Sequence, residues 1–356
     1  MGPYASKLGE MAIAGRRVGA GAAPFVVAEM SANHLGRLDR AIAIMVAAKA
    51  AGADAVKLQS YSADALTIDH DGPGFVFEGG PWHGRKLHAL YRAAAMPWDW
   101  HPALFAKGRE LGITVFSTPF DAAGVDRLVA LGAPAYKIAS FELIDHALVR
   151  RVAATGKPVI LSTGMASDEE INEAVAAARS AGARELALLH CVSAYPTPPE
   201  DSNLATIPAL ARRHGTVVGL SDHTLGTAVA VAAVALGAVM VEKHVTLARA
   251  DGGPDAAFSL EPGELARLVA DCRAAHLAIG IVRERPAPSE AGMRAYRRSL
   301  YVVADVRAGE RISGVNVRSI RPGHGLAPKH LDAVLGRRAT RDLARGTPLA
   351  WDMIGD

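Results

Sequence analysis

Cysteine is nearly missing from this chain, with Cys191 and Cys272 the two in 356 residues. Two thiols cannot staple a secreted scaffold, so a reducing cytoplasm is the expected compartment. Aromatic residues make up only 5%. Ala, Gly and Val take their place, a composition suited to helices packed closely around a buried sheet. No apolar run approaches the ~20 residues of a membrane-spanning helix, and no charged-then-apolar leader opens the sequence. Excess charge is missing as well: the formal net value is +3, with acidic and basic residues interleaved. Without a basic stripe nucleic acid is not an expected partner, and without a spanning segment neither is a membrane.

What is there is a repeating beat. Short apolar runs at 25–30 (FVVAEM), 55–60 (AVKLQS), 114–119 (TVFSTP), 135–140 (AYKIAS), 158–163 (PVILST), 186–191 (LALLHC), 217–223 (VVGLSDH) and 239–244 (VMVEKH) read as strands. Between most of them lie amphipathic helical stretches such as LDRAIAIMVAAKAAG and SDEEINEAVAAARSAG. The second opens on a capping box, Ser167 with Glu170. Gly52, Gly112, Gly156, Gly182 and Gly237 close helical stretches, where a left-handed C-cap is wanted. Strands each followed by a helix spell an α/β fold, a closed (β/α)8 TIM barrel. The alternative, a doubly wound open sheet, would suit a glycine-rich dinucleotide motif, which does not appear.

Residues 1–280 are expected to form this barrel, preceded by a loose arm or short hairpin. Residues 281–298, rich in Pro and Arg, read as a linker, and 299–356 as a small β-rich domain. The connection at 61–97 is far longer than an ordinary βα loop and is expected to cover substrate. Trp82, Trp98 and Trp100 are expected to anchor it rather than stack on a sugar.

In the stretch VMVEKHVTL an apolar run ends in three polar residues. Strand alternation puts Glu242 and His244 on one face and Lys243 on the other. The other strand ends are polar too: Glu29; Lys57 and Gln59; Ser117 and Thr118; Lys137, Ser140 and Glu142; Ser162 and Thr163; His190 and Ser193; Ser221, Asp222 and His223. In a barrel these ends converge on the catalytic face, and a buried polar ring is costly unless it binds something charged. Two lysines among Ser and Thr hydroxyls make an anion cradle for phosphate and carboxylate. His223 and His244, on adjacent strands, can reach one cation, for which Mn²⁺, Fe²⁺, Co²⁺ and Zn²⁺ are all candidates. Cys191 is expected as a small buried hydrophobe, and His34 and His324 as solvated loop residues.

AEMSANHLG, AGADAVKLQSY, FSTPFD, AYKIASFE, LSTGMAS, HCVSAYPTP, LSDHTLG, VEKHVTL, GGPDAAFSLEP and RPGHGL follow one another from about Pro24 to Trp351. In that order they resemble the sialic acid synthase family. Within it, SANH, the WHGRKLHALY…PWDW insertion, SAYP and DAAFSLEP look most like its pseudaminic acid branch. The resemblance implies a barrel followed by an antifreeze-like (SAF) domain in a domain-swapped homodimer. It implies condensation of phosphoenolpyruvate with an amino-sugar, using a divalent metal, Mn²⁺ first, with Mg²⁺ or Co²⁺ as alternatives. Carried over by position, His223 and His244 would be metal ligands. Lys57, Thr118, Lys137, Ser140, Ser162, Ser193 and Ser221 would cradle phosphoenolpyruvate, and Glu29 and Glu142 would flank the reacting carbons. Gln59, Tyr195, Glu242 and Asp255 would contact sugar, and Arg321 would enter the partner's site. The apolar Ala256-Ala257-Phe258 step is expected to face a methyl where neuraminate precursors carry a hydroxymethyl. Within the family the alternative is an N-acetylneuraminate or legionaminate synthase using a different amino-sugar, and three readings stand outside it: an aldolase acting on a sugar phosphate, a metal-dependent hydrolase, and an ice-binding role for the C-terminal domain. The first lacks a second basic cluster, the second an HxH pair on its first strand, and the third an uncharged face, since RSIRPGHGLAPKH is basic.

Overall fold

The computed structural model describes residues 9–79 and 82–356. Residues 1–8 of the arm or hairpin expected at 1–21, and the Gly80–Pro81 step of the insertion, lie outside the described residues. An antiparallel hairpin, β1 (Met11–Ile13) and β2 (Arg16–Val18), comes first. Its Met11, Ile13 and Val18 are buried in one apolar cluster with Phe25, Ala55, Val217 and Met240, residues near the starts of barrel strands. The hairpin therefore closes the end of the barrel opposite the mouth.

The eight barrel strands are β3 (Phe25–Glu29), β4 (Ala55–Ser60), β5 (Thr114–Pro119), β6 (Tyr136–Ile138), β7 (Val159–Ser162), β8 (Leu186–Cys191), β9 (Val217–Asp222) and β10 (Met240–His244). All pair in parallel, and β10 returns to β3 to close the cylinder as a TIM barrel. Each apolar run read from the sequence contains one of these strands. Alternation sorts the side chains: Val26 and Ala28 pack outward with Ile44 and Met45 of helix Leu38–Ala50, while Phe25 and Val27 point inward. Each large side chain buried this way contributes about 1.5–3 kcal/mol. Glu29 shares the inward parity of Phe25 and Val27, and so reaches the interior at the mouth.

Local signals fix the helix ends. Ser167 Oγ accepts from Glu170 N at 3.2 Å, and Glu170 Oε2 accepts from Ser167 N at 2.7 Å, completing the capping box. The five helix-closing glycines all have positive φ, from 62° at Gly112 to 104° at Gly237.

The chain divides into two compact units after Ile281. In the second, β11 (Ser299–Val302) and β12 (Val317–Ile320) pair antiparallel over a core of Leu300, Val302, Val317, Leu343 and Leu349. Part of the stretch expected as a linker, Pro288–Tyr296, winds as 3-10 turns. Among the described residues no helix is long and apolar enough to cross a membrane.

Gly219 in β9 shows how tightly the cylinder is filled. A Cβ there would lie 2.4 Å from the Met240 carbonyl oxygen and 2.7 Å from Leu189 Cδ2. That oxygen cannot retreat without disturbing the ladder, so Gly219→Ala is expected to lower stability by about 1–3 kcal/mol. Urea unfolding should show a lower midpoint at unchanged slope; an unchanged midpoint would refute this packing account.

Candidate active site

The registers at the closure seam assemble the centre. His244 pairs with Glu29, Glu29 with Lys57, and Glu242 with Ser221, so the ends of β9, β10, β3 and β4 meet at one level. Lys57 Nζ lies 2.9 Å from Glu29 Oε2 and 3.4 Å from Glu242 Oε1, and donates to Thr118 Oγ1 at 3.2 Å. Gln59 Nε2 donates to the other Glu29 oxygen at 2.9 Å, and Ser221 Oγ to Glu242 Oε1 at 3.3 Å. Burial alone would discharge Lys57, but Glu242 and Glu29 outweigh it and hold the ammonium above the ordinary lysine range.

Lys137 is different. It is 1% exposed and donates to Ser162 Oγ at 2.6 Å and to the Ile138 carbonyl at 2.9 Å. Among the described residues no carboxylate lies within ion-pair distance of it, and burial pulls it below the ordinary lysine range. A buried ammonium paired only with neutral oxygens is a site for an anion. Around it gather Ser140 and Ser193. Gly164 N donates to Ser140 Oγ at 3.1 Å, and a Cβ on Gly164 would lie 2.7 Å from that oxygen and 2.3 Å from Ser193 Oγ. Ser193 Oγ is itself buried with no partner among the described residues. Only glycine leaves room for both hydroxyls there.

The imidazoles of His223 and His244 stand with ring centroids 5.4 Å apart. His223 Nδ1 donates to the Val192 carbonyl at 2.8 Å, which fixes the tautomer and leaves Nε2 as an acceptor. Burial holds His244 neutral, far below the ordinary histidine range, and its Nδ1 is buried without a partner. Asp255 Oδ2 lies 3.9 Å from that nitrogen. Two imidazoles beside the Asp255 carboxyl group fit a divalent cation. No set of three or more His, Cys, Asp or Glu side chains among the described residues forms a protein-only cage, so water or substrate would fill the remaining positions. Cys191 is buried, with Sγ 4.0 Å from His223 Nδ1.

Above the strand ends lies a cavity of about 380 Å³. Gln59, Glu142, Tyr195, His244 and Asp255 line it; the two lysines and their hydroxyl partners do not, and Lys57 connects to it through Glu29 and Gln59. Glu242, expected at the sugar, sits instead with the lysines. The wall that sequence reasoning missed comes from the insertion, where Leu66, Phe77, Trp82, Leu90 and Tyr91 all face the cavity. The insertion's length marked it as a cover, but its irregular backbone gives no periodicity from which inward residues can be read. Glu142 Oε2 is buried without a partner, and burial, partly offset by Lys137, pushes this carboxyl up to about 7.

Several expectations need correction. Ala256-Ala257-Phe258 does not line the cavity. A 3-10 turn tucks Phe258 inward, 5.1 Å from His244 and 5.2 Å from Tyr195, and Pro254 and Asp255 form the wall instead. His34 is not solvated: the turn Ser31–His34 buries it against Trp100, and burial pulls its pKa to about 4. Trp98 stacks on His101 and Trp100 packs on the barrel core, but Trp82 is a cavity wall whose indole donates to the Pro254 carbonyl at 3.3 Å. Ser117, Thr163 and His190 bond to the carbonyls of Leu58, Leu189 and Ser202 and take no part in the centre. Arg321 and His324 belong to the second unit and are exposed.

Fold and mouth together define a (β/α)8 barrel with buried lysines at its strand ends and a cavity above them. A family model described as NeuB family matches residues 44–284, and one described as SAF domain matches 297–355. A pseudaminic acid synthase of Campylobacter jejuni is 41% identical, covering 91% of this chain and 95% of its own length. An N,N'-diacetyllegionaminic acid synthase of Legionella pneumophila is 34% identical over 93% of this chain and 94% of that one. The crystal structure of an N-acetylneuraminic acid synthetase of Leptospira borgpetersenii in complex with citrate aligns at a TM-score of 0.72 with 31% identity, over 80% of this chain and 95% of that one. The chain belongs to the NeuB family, the sialic acid synthase family. It is accordingly an enzyme, a phosphoenolpyruvate-dependent nonulosonic acid synthase.

Gly164 tests the anion cradle directly. Gly164→Ala should displace both serine hydroxyls and raise KM for phosphoenolpyruvate by about tenfold or more, the loss of one or two hydrogen bonds to a charged group. Steady-state kinetics with a circular dichroism check of folding reads this; an unchanged KM would separate Ser140 and Ser193 from the anion.

Proposed function

We propose that the chain condenses phosphoenolpyruvate with 2,4-diacetamido-2,4,6-trideoxy-L-altrose to give pseudaminic acid and phosphate. The observation that carries this reading is the apolar insertion wall facing the polar barrel mouth. A sugar with two acetamido methyls and a methyl at carbon six presents apolar groups to Phe77, Trp82, Leu90 and Tyr91. Its aldehyde end would then meet Gln59, Tyr195 and Asp255. The 41% identity to a pseudaminic acid synthase supports the same choice.

Lys57, Lys137, Thr118, Ser140, Ser162, Ser193 and Ser221 would hold the phosphate and carboxylate of phosphoenolpyruvate, with Glu242 keeping Lys57 charged. His223 and His244 would hold a divalent cation, Mn²⁺ first, which would polarise the aldehyde oxygen as a Lewis acid. The methylene carbon of phosphoenolpyruvate attacks the aldehyde carbon, and the aldehyde oxygen takes up a proton from solvent. Positive charge left at the enol-ether carbon faces Glu29, whose own charge is anchored by Lys57 and Gln59. Water adds to that carbon and gives one proton to Glu142, and the tetrahedral adduct collapses to the ketone as its hydroxyl proton passes to the departing phosphate, which leaves onto the lysines. Phe141, Ile144, Met165 and Leu225, each at least 60% exposed on loops at the mouth, support a cover from a second chain, whose SAF domain would bring Arg321.

Comparing kcat/KM for this sugar and for N-acetylmannosamine tests the substrate. A preference of roughly 100-fold for the former is expected, the usual reach of an apolar pocket against an added hydroxyl. Preference for N-acetylmannosamine would overturn the reading, and equal use of the manno-configured diacetamido sugar would move it to legionaminate synthesis.

The base can be tested separately. Glu142, held near 7, works as a carboxylate, so kcat/KM should rise as pH passes through about 7 and level off above. Glu142→Gln should abolish that rising limb and lower the rate by about 10²–10⁴-fold. A limb that persists in the variant would assign the water step elsewhere.

A further inference from the structure

Behind the two histidines, on the opposite face of the same strands, lies an ion pair that the reaction itself does not use. The register sets Lys243 of β10 beside Asp222 of β9, one residue before His244 and His223 respectively. Their side chains are 0% and 1% exposed, and Lys243 Nζ lies 2.6 Å from Asp222 Oδ2. The pair does more than bridge two strands. Asp222 Oδ1 accepts from Thr224 N at 2.8 Å, and Lys243 Nζ donates to the Thr224 carbonyl at 2.6 Å. Both polar groups of the Thr224 backbone are thus tied to the pair, and the segment 222–224 is clamped on each side of His223. The His223 carbonyl in turn accepts from Thr197 N at 3.0 Å, so the histidine cannot swing without breaking one of these bonds.

Stability is a poor explanation for such a pair. Removing two charges from water costs several kcal/mol per ion, and apolar pairs of similar volume are often as stable or more so. What an ion pair supplies and an apolar pair does not is directional, fixed registry. Here the registry it fixes is that of the two strand ends carrying the imidazoles. We infer that Lys243 and Asp222 are positioning residues, which set the separation and orientation of His223 and His244 and thereby the affinity of the centre for a divalent cation. The inference rests on the reading of those histidines as cation ligands. Partners behind metal ligands commonly change affinity by 10–100-fold when lost, and this pair acts through the backbone and strand register rather than by touching the imidazoles.

The experiment is Mn²⁺ binding to metal-free full-length enzyme, read from the electron paramagnetic resonance signal of free Mn²⁺, for the parent, Lys243→Met and Asp222→Asn. Weakening of the dissociation constant by about 10–100-fold is expected. In the same variants excess Mn²⁺ should restore kcat while KM for phosphoenolpyruvate stays at the parent value. A purely structural role would lower the melting temperature and leave the Mn²⁺ dissociation constant of the folded protein alone. If a single variant leaves an unpaired charge and fails to fold, the apolar double variant Asp222→Leu with Lys243→Met replaces it, and the same weakening is expected. Affinity within twofold of the parent in a folded variant would overturn the proposal. A parent enzyme that binds no Mn²⁺ would bring down the reading of the histidines, and the proposal with it.

Discussion

Lys57 lies between Glu29 and Glu242 in a space nearly closed to water, and the chemistry of the mouth depends on that balance. Either carboxylate alone at this depth would be expelled or protonated, and the lysine alone would lose its proton. Together they keep Lys57 above the ordinary lysine range, while burial still raises Glu29, and they hold Gln59, Thr118 and Ser221 in place around them. Lys137 lies outside this balance. It is a buried cation without a carboxylate at ion-pair distance among the described residues, so the most favourable event at the mouth is arrival of an anion. A molecule bearing both phosphate and carboxylate brings more negative charge than one lysine answers.

The balance exists because of parity and closure. Glu29 points inward because Phe25 and Val27 do, and it meets Lys57 because β3 and β4 pair without an offset at that level. His244 joins them only because β10 returns to β3. A one-residue slip at either seam would turn the centre toward the helices. Beneath it, Gly219 and the β1–β2 hairpin pack the cylinder tightly enough that such a slip has no room.

Much of this was legible in the sequence because it follows from period-two alternation and from where apolar runs end. The eight runs, the helix caps, the polar strand ends and the hairpin at the start all fall under those rules. What was misread lies in irregular backbone. Ala256-Ala257-Phe258 looks like an apolar wall in a row of letters, yet a single 3-10 turn sends Phe258 beneath the histidines. His34 looks like a loop residue, and the turn Ser31–His34 buries it under the end of the insertion. Ser117 and His190 are polar strand residues whose carbonyl partners lie away from the centre, a distinction that composition does not carry.

The insertion is the part of the molecule with most freedom to set specificity. The barrel mouth is constrained on most strands by the charges it must balance, so a change there disturbs the chemistry for all substrates alike. Leu66, Phe77, Trp82, Leu90 and Tyr91 touch none of those charges. In the proposed pose they would face the part of the sugar farthest from its aldehyde, where acyl groups and a terminal methyl or hydroxymethyl distinguish one nonulosonic acid precursor from another. Apolar contact there is worth about 0.8 kcal/mol per methylene buried, and an unpaired hydroxyl against it costs more. A barrel that kept this cradle and varied this wall could therefore change its sugar without rebuilding its catalytic centre.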